Sequence, residues 1–306
     1  MLVYRSASGA VAWAPAKLNL FFEVLGRRPD GFHEVETLML PITLFDSLAL
    51  APTTSTGVEC RCRWAGLNAA AAEQHFGSLP QNEDNLAAKA VLLLKRHAES
   101  AGLSIAGGWR VDIVKRIPSG AGLGGGSSDA AAALLAANLA WNLNWPLARL
   151  MPLAAELGSD VPFFLASRPA VCRGRGEQIA PAAIPAGMHF VVARPPASLS
   201  TAAVYRACEP ARQPRSSGPL LAALACGDRR ALAATLLNRL ESAAARLEPW
   251  IDRLAAEFRR LGCLAAQMSG SGTSYFGLFA GAPAARRAAA LLRARRVGTV
   301  FAVQSF

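Results

Sequence analysis

Between Ile117 and Asp129 the chain reads Pro118-Ser119-Gly120-Ala121-Gly122-Leu123-Gly124-Gly125-Gly126-Ser127-Ser128, with five glycines in seven residues. Glycine lets successive backbone N–H groups converge on an anion with no Cβ in the way, and a helix that starts there adds the positive end of its dipole. The chemistry implied is phosphate binding. A Walker A loop ends in Gly-Lys-Ser/Thr, and no lysine lies between Pro118 and Asp129, so that class is excluded. A G-x-G-x-x-G spacing matches at Gly120, Gly122 and Gly125, yet Trp145 stands where a dinucleotide site carries its ribose-binding acid.

Other side chains with chemical potential are scattered along the chain. Asp160, in Gly158-Ser159-Asp160-Val161-Pro162-Phe163-Phe164, reads by itself as a helix cap or turn carboxylate. Lys17 shares a strand face with Asn19, and it is a lysine in a chain where all but four of the 32 Lys and Arg residues are arginine. Asn85 reads as a helix N-cap, and Lys115 stands just before the glycine run. His75, His97 and His189 have no partner at metal spacing. The six cysteines form no C-x-x-C pair, so neither a zinc site nor a disulfide framework is indicated.

The elements that must hold these residues follow from periodicity. Residues 16–25 alternate as in a half-buried strand, with Leu18, Leu20, Phe22 and Val24 on one face and Lys17, Asn19, Phe21 and Glu23 on the other. Arg28-Pro29-Asp30-Gly31 then predicts a turn into a second strand over residues 32–40. A helix is predicted over 85–98, a strand over 109–117 and, after the glycine loop, an alanine-rich helix over 130–141 capped by Ser127-Ser128-Asp129. Further helices are predicted near 146–157, 228–246, 249–261 and 283–296, with strands near 189–193 and within 265–279, the latter interrupted by Gly270-Ser271-Gly272. The stretch 167–176 is the candidate domain boundary and 211–218 an exposed loop.

Composition bounds the rest. A length of 306 residues with 52% apolar and 17% charged residues suits two domains with cores of their own. A net charge of +11 suits polyanionic partners, although arginine-rich, alanine-rich composition also follows from coding bias. Residues 1–16 lack the apolar core of a leader, and no stretch reaches the roughly 18 apolar residues of a membrane span. The expectation is a cytoplasmic protein without a membrane segment.

Several blocks together carry a resemblance. Ile117-Pro118, Gly122-Leu123-Gly124 and Ser127-Ser128-Asp129-Ala130-Ala131 resemble the ATP loop of the GHMP kinases, the superfamily of galactokinase, homoserine kinase and mevalonate kinase. Pro15-Ala16-Lys17-Leu18-Asn19-Leu20, Arg28-Pro29-Asp30-Gly31-Phe32-His33-Glu34, Glu83-Asp84-Asn85-Leu86, the block around Asp160 and Met268-Ser269-Gly270-Ser271-Gly272 are similar to one branch, the 4-diphosphocytidyl-2-C-methyl-D-erythritol kinases. The resemblance implies an α+β, two-domain GHMP kinase fold. Its N-terminal ribosomal-S5-like βαβ domain would cover residues 1–168 and its C-terminal α+β domain residues 169–306, with the active site in the cleft between them.

It also implies roles. ATP would be the phosphoryl donor, held by the stretch from Pro118 to Ser128 with Lys115 flanking it and Asn85 reading the adenine. Asp160 would take the proton of the 2-hydroxyl of 4-diphosphocytidyl-2-C-methyl-D-erythritol, assisted by Lys17. The cytosine would stack between Phe32 and Tyr205, with His33 on its edge. Many relatives carry tyrosine where Phe32 stands, which keeps the stacking face without the hydroxyl. Asn19, Thr201, Gly270, Ser271 and Gly272 complete the substrate side. Mg2+ is expected with ATP, its ligands being phosphates, water and Ser127, since no carboxylate cluster is dedicated to it. The partner is a small molecule, with no nucleic acid and no membrane, and the oligomeric state is open. The alternatives are a mevalonate or homoserine type of kinase, and a non-catalytic RNA-binding protein, against which stand dispersed arginines and three tyrosines.

Overall fold

The computed structural model describes residues 1–66, 76 and 78–306; His75 lies outside the described residues. They divide into two compact units, each discontinuous in sequence. One consists of Met1–Ala16, Leu44–Ser119 and Gly124–Ser167, the other of Lys17–Thr43, Gly120–Leu123 and Arg168–Phe306.

In the first unit β1 (Leu2–Ser6) pairs antiparallel with the start of β2 (Gly9–Arg27), and the second half of β3 (His33–Thr53) pairs antiparallel with β5 (Gly108–Lys115). β4 (Val58–Trp64) runs parallel to β5, from Val58 opposite Trp109 to Trp64 opposite Lys115. Parallel neighbours need a crossover, and α1 (Leu86–Ser100) supplies it. Its buried Ala87, Ala88, Val91 and Leu94 recur at helical spacing and pack on α2 (Gly125–Ala140), which buries alanines almost throughout. α3 (Leu147–Leu157) and α4 (Val161–Ala166) close this layer.

α2 starts five residues earlier than the alanine run predicts. Gly124 is its cap, in the left-handed conformation, and Ser128 N donates to Gly124 O at 2.9 Å. Ser127, Ser128 and Asp129 therefore sit inside the helix, because glycine makes the entry turn and the Ser128 and Asp129 side chains are drawn into the interior. The N–H groups of Gly125, Gly126 and Ser127 fall in the first turn, where a helix has no carbonyl of its own to offer them.

In the second unit the β2–β3 hairpin turns through Arg28 to Phe32, with Arg28 N donating to Phe32 O at 2.8 Å. The hairpin of β6 (Ala170–Arg173) and β7 (Gln178–Pro181) extends β3 through Thr37 opposite Cys172. A four-stranded antiparallel sheet has the order β10 (Ala265–Met268), β11 (Tyr275–Phe279), β8 (His189–Arg194), β12 (Thr299–Gln304). α9 (Trp250–Arg260) and α10 (Ala282–Ala294) pack on it around buried Val191, Phe258, Tyr275 and Leu292. Between β8 and α9 lie α5 (Thr201–Ala207), α6 (Gly218–Cys226), α7 (Arg229–Thr235), β9 (Leu237–Asn238) and α8 (Glu241–Leu247).

Two sequence expectations fail here for tertiary reasons. The strand is buried on both faces from residue 16 to residue 24, because the side that alternation assigns to solvent is filled with paired polar groups: Lys17 with Asn19, Asn19 with Thr37 and Glu23 with Arg239. The helix predicted over 228–246 is broken by β9, which pairs parallel with β2 at Phe21 and Phe22. Arg239 N donates to Phe22 O at 2.8 Å, and the Arg239 guanidinium forms two hydrogen bonds to the fully buried Glu23 carboxylate, at 2.6 and 2.7 Å. Those bonds exceed the modest helix propensity of the segment. In the 211–218 loop, Arg215 N and Ser217 N donate to Glu23 and Glu36 respectively, so its backbone is anchored although many of its side chains are exposed.

Burial alone raises the Glu23 pKa, but Arg239 and the backbone donors outweigh it and hold the group below its ordinary value. Its contribution to stability is therefore present above the unfolded-state pKa and lost as pH falls through the folded-state one. Arg239→Met should cost about 3 kcal/mol at neutral pH, since it strands a buried carboxylate, and should flatten the acid side of the stability–pH curve. Urea titrations at several pH values measure both.

Candidate active site

The glycine loop is set at its start by buried charge. Lys115, 4% exposed at the end of β5, pairs through Nζ with Oδ2 of both Asp46 and Asp129. The other oxygen of Asp46, Oδ1, accepts from Arg116 N and, at 2.9 Å, from Ile117 N, the two residues that lead into the loop. A Cβ on Gly125 would lie 3.1 Å from Lys115 Nζ and 3.0 Å from Ile117 Cγ2, so a side chain there would crowd the lysine beneath the helix start. Burial disfavours the Lys115 ammonium, but Asp129 and Asp46 outweigh it and keep it charged. Burial also pushes the Asp129 carboxyl up, Lys115 pulls it down and Asp46 pushes it up again; the net direction is upward. Lys115 thus braces the loop.

Asn85 caps α1, its Oδ1 accepting from Ala87 N at 2.9 Å and its Nδ2 donating to Pro80 O at 2.9 Å. One proton and one lone pair of the amide remain beyond these two bonds. Asp160 occupies the N-cap position of α4 but with helical dihedrals, and among the described residues no capping bond from its side chain is made to α4. The simple capping role is thereby excluded. The helix it begins fixes its place, since Val161, Pro162, Phe163, Phe164 and Leu165 are all buried.

In the second unit Lys17 is 4% exposed and donates through Nζ to Asn19 Oδ1. Asn19 Nδ2 donates at 2.8 Å to Thr37 Oγ1, which donates at 2.7 Å to Phe21 O, so the amide is oriented with its oxygen toward the lysine. The connection from β10 to β11 packs against this group. Lys17 N donates to Leu123 O at 3.0 Å, Ser274 N to Ala121 O at 3.1 Å and Ser269 Oγ to Gly122 O at 3.1 Å. At Gly122 a Cβ would stand 2.1 Å from Ser269 O, and φ is +76°. At Gly270 φ is +57°, and a Cβ would come 3.2 Å from Lys17 Nζ and 3.3 Å from Asn19 Oδ1. Both positions require glycine.

The aromatic residues are arranged around two rings. His33 lies against Tyr205, centroids 4.9 Å apart at 33°, while the Arg175 guanidinium sits 4.8 Å over the 51% exposed Phe32. A base stacking on either ring would use its other face or displace that neighbour. Burial, then the nearby Arg27, lowers the His33 pKa, so the ring is neutral at pH 7 with one donor and one acceptor. Thr201 and Ser271 hydroxyls are 2.9 Å apart.

Of the residues singled out from sequence, the second unit brings together Lys17, Asn19, Ala121, Gly122, Leu123 and Gly270, and separately His33 with Tyr205 and Thr201 with Ser271. Sequence reasoning missed Asp46 and Asp129 as the partners of Lys115, Thr37 as the orienter of Asn19, and Asn238, whose Nδ2 donates at 2.8 Å to both Met268 O and Gly270 O. A lysine retained in an arginine-rich chain was the available signal for the first.

For a divalent cation the donors must be oxygens. Ser127 lies in the first turn of α2, and Ser128 Oγ and Asp129 Oδ1 are buried without a hydrogen-bond partner among the described residues. Among the described residues no group of three or more His, Cys, Asp or Glu side chains could cage an ion. Ser128 and Asp129 are turned into the interior, so part-exposed Ser127 is the side-chain oxygen of this turn that could join a Mg2+ brought by a nucleotide. No helix among the described residues is long and apolar enough to cross a membrane.

Comparison with known proteins extends this geometry. Residues 85–168 match the family model of the GHMP kinases N terminal domain and residues 220–296 that of the GHMP kinases C terminal. The chain is 42% identical over 287 residues to a 4-diphosphocytidyl-2-C-methyl-D-erythritol kinase of Thermus thermophilus, covering 92% of each. It is 39% identical over 284 residues to one of Pelotomaculum thermopropionicum, covering 92% of this chain and 93% of that one. A crystal structure of a 4-(cytidine 5'-diphospho)-2C-methyl-D-erythritol kinase matches with TM-score 0.78 at 39% identity, over 96% of this chain and 98% of that one. A homoserine kinase from Cytophaga hutchinsonii, TM-score 0.72 at 20% identity, covers 100% of this chain and 97% of its own and shares the fold.

Close approach makes the glycines unequal. Gly122→Ala should cost about 3 kcal/mol or more, whereas Gly126→Ala, with open space around its Cβ position, should leave stability unchanged or raise it by up to about 1 kcal/mol. Thermal unfolding of the two variants checks this; equal midpoints would contradict it.

Proposed function

The chain belongs to the 4-diphosphocytidyl-2-C-methyl-D-erythritol kinase family of the GHMP kinases, and on that footing we propose that it transfers the γ-phosphoryl group of ATP to the 2-hydroxyl of 4-diphosphocytidyl-2-C-methyl-D-erythritol. It is an ATP-dependent small-molecule kinase with the α+β GHMP fold, of the non-mevalonate isoprenoid route. This reading takes residues 1–168 as the N-terminal domain and residues 169–306 as the C-terminal domain, supported by the family-model matches over 85–168 and 220–296. The observation that carries the site reading is the buried Lys17 ammonium, held by Asn19 beside the backbone at Gly270.

Phosphoryl transfer needs positioning and the neutralisation of spread negative charge. The first-turn N–H groups of Gly125, Gly126 and Ser127 point their dipoles toward bound phosphates, while Asp46, Lys115 and Asp129 keep the loop and helix start in place. Asp160 takes the proton of the attacking hydroxyl. The new bond forms between that oxygen and the γ-phosphorus as the bond to the β-phosphate oxygen breaks, and ADP leaves. Lys17 supplies positive charge that favours the negative charge developing on the attacking oxygen. Ser127 would help hold a Mg2+ arriving with ATP, and the ion would supply charge neutralisation. Asn85 has the remaining proton and lone pair to meet adenine. Phe32 and Tyr205 offer stacking faces to cytosine, neutral His33 its edge contact, and Thr201, Ser271 and Gly272 border the acceptor's phosphates. ATP as donor implies a cytoplasmic location.

ADP release with MgATP, measured separately with 4-diphosphocytidyl-2-C-methyl-D-erythritol, mevalonate and homoserine, should occur with the first alone; turnover with either other acceptor would overturn the assignment. Asp160→Asn should bind ATP as the wild type does and lose about 10²–10⁴-fold in kcat; retained turnover would remove it as the base. Phe32→Ala combined with Tyr205→Ala should raise KM for the cytidylyl acceptor about tenfold or more and leave KM for ATP near its wild-type value.

A further inference from the structure

The segment that breaks the predicted helix, Leu237 to Glu241, grips the β10–β11 connection from two sides. Asn238 Nδ2 donates at 2.8 Å to Met268 O and at 2.8 Å to Gly270 O, and its Oδ1 accepts from Leu240 N at 3.0 Å, so the 7% exposed amide uses every proton it has. Glu241 accepts from Met268 N at 2.9 Å and from the Tyr275 hydroxyl at 2.9 Å, which ties both strands of the hairpin at its mouth. Gln267 Nε2 donates at 2.8 Å to Asn19 O, fixing β10 to the strand that carries Lys17. Gly270, whose carbonyl Asn238 holds, is the residue whose Cβ position lies 3.2 Å from Lys17 Nζ.

We propose that Asn238 is a positioning residue for phosphoryl transfer: its two N–H donors fix the Gly270-Ser271-Gly272 backbone against Lys17 and so set the acceptor side of the site. This role rests on the kinase reading above. A loop entered and left by glycine has wide backbone freedom, and an amide donating to carbonyls on either side of Ser269 removes it. Breaking the helix at Leu237 and Asn238 is the local cost of bringing that amide to the loop. Asn238 touches no reacting atom; it acts through Gly270 and Lys17.

Asn238→Asp keeps the shape and the acceptor for Leu240 N but replaces both donors with an oxygen that faces two carbonyls. With MgATP and 4-diphosphocytidyl-2-C-methyl-D-erythritol, this variant should show a fall in kcat/KM for the acceptor of about 10–100-fold with KM for ATP unchanged. A protonated aspartate regains one donor, so the ratio of variant to wild-type kcat/KM should rise as pH is lowered from about 8 to about 6. Asn238→Gln, which retains the amide on a longer stem, should recover part of the activity that Asn238→Ala loses. Equal acceptor kinetics in Asn238→Asp and wild type, or a loss of active enzyme with both KM values and the pH ratio unchanged, would overturn the proposal. A folded wild-type enzyme inactive toward this acceptor would instead overturn the functional reading, and the clamp's role with it.

Discussion

The contact between the backbones of Gly122 and Ser269 is the constraint on which the site depends. No side chain fits there, since a Cβ would stand 2.1 Å from the Ser269 carbonyl oxygen, and the neighbouring bonds from Ser274 N to Ala121 O and from Lys17 N to Leu123 O exploit the same proximity. One end of the glycine loop that follows β5, the strand bearing a buried lysine and a second glycine loop thereby share a single backbone arrangement. Catalysis of phosphoryl transfer rests on fixed geometry and fixed dipoles more than on covalent chemistry. A chain that must hold such geometry without side chains at the point of contact has to immobilise the glycines by hydrogen bonds from elsewhere.

The immobilising groups are mostly buried polar side chains. Asp46 holds the entry of the loop through two backbone N–H groups, Lys115 bridges Asp46 to Asp129 under the helix start, and Thr37 and Asn19 orient one another and Lys17. Each would destabilise the protein if left unpaired, and each has at least one partner, Asp129 through its Oδ2 alone. Lys115 shows why residue type matters. The compact ammonium is an adaptable point charge with three donors, and it passes close beneath Gly125, where the broad planar guanidinium of arginine would need more room and a different fork of acceptors.

Local rules located the glycine loop, the Arg28–Phe32 turn, the strand face shared by Lys17 and Asn19, and the Asn85 cap, because each depends on neighbours within a few residues. They failed where distant groups decide. Alternation assigned the Lys17–Asn19–Glu23 face to solvent, yet Glu23 pairs with Arg239 and the Asn19 carbonyl accepts from Gln267, both more than 200 residues away. Helix propensity ran through 228–246, but Phe22 O, Glu23 and the Gly270 carbonyl recruit Arg239 and Asn238 out of it. Asp129 looked like a cap because it follows two serines; pairing with Lys115 turned it inward. The residues that break local rules here are the ones that support the site, as expected where function and local preference compete.

The proposed reaction moves one phosphoryl group from ATP to a hydroxyl of the acceptor and leaves the acceptor's diphosphate intact. Phosphorus NMR of the wild-type protein incubated with MgATP and 4-diphosphocytidyl-2-C-methyl-D-erythritol tests it most directly. ADP and a new phosphomonoester resonance should appear in equal amounts, with the diphosphate resonances of the acceptor retained. ADP accompanied by inorganic phosphate and no new monoester, or loss of the acceptor's diphosphate, would contradict it.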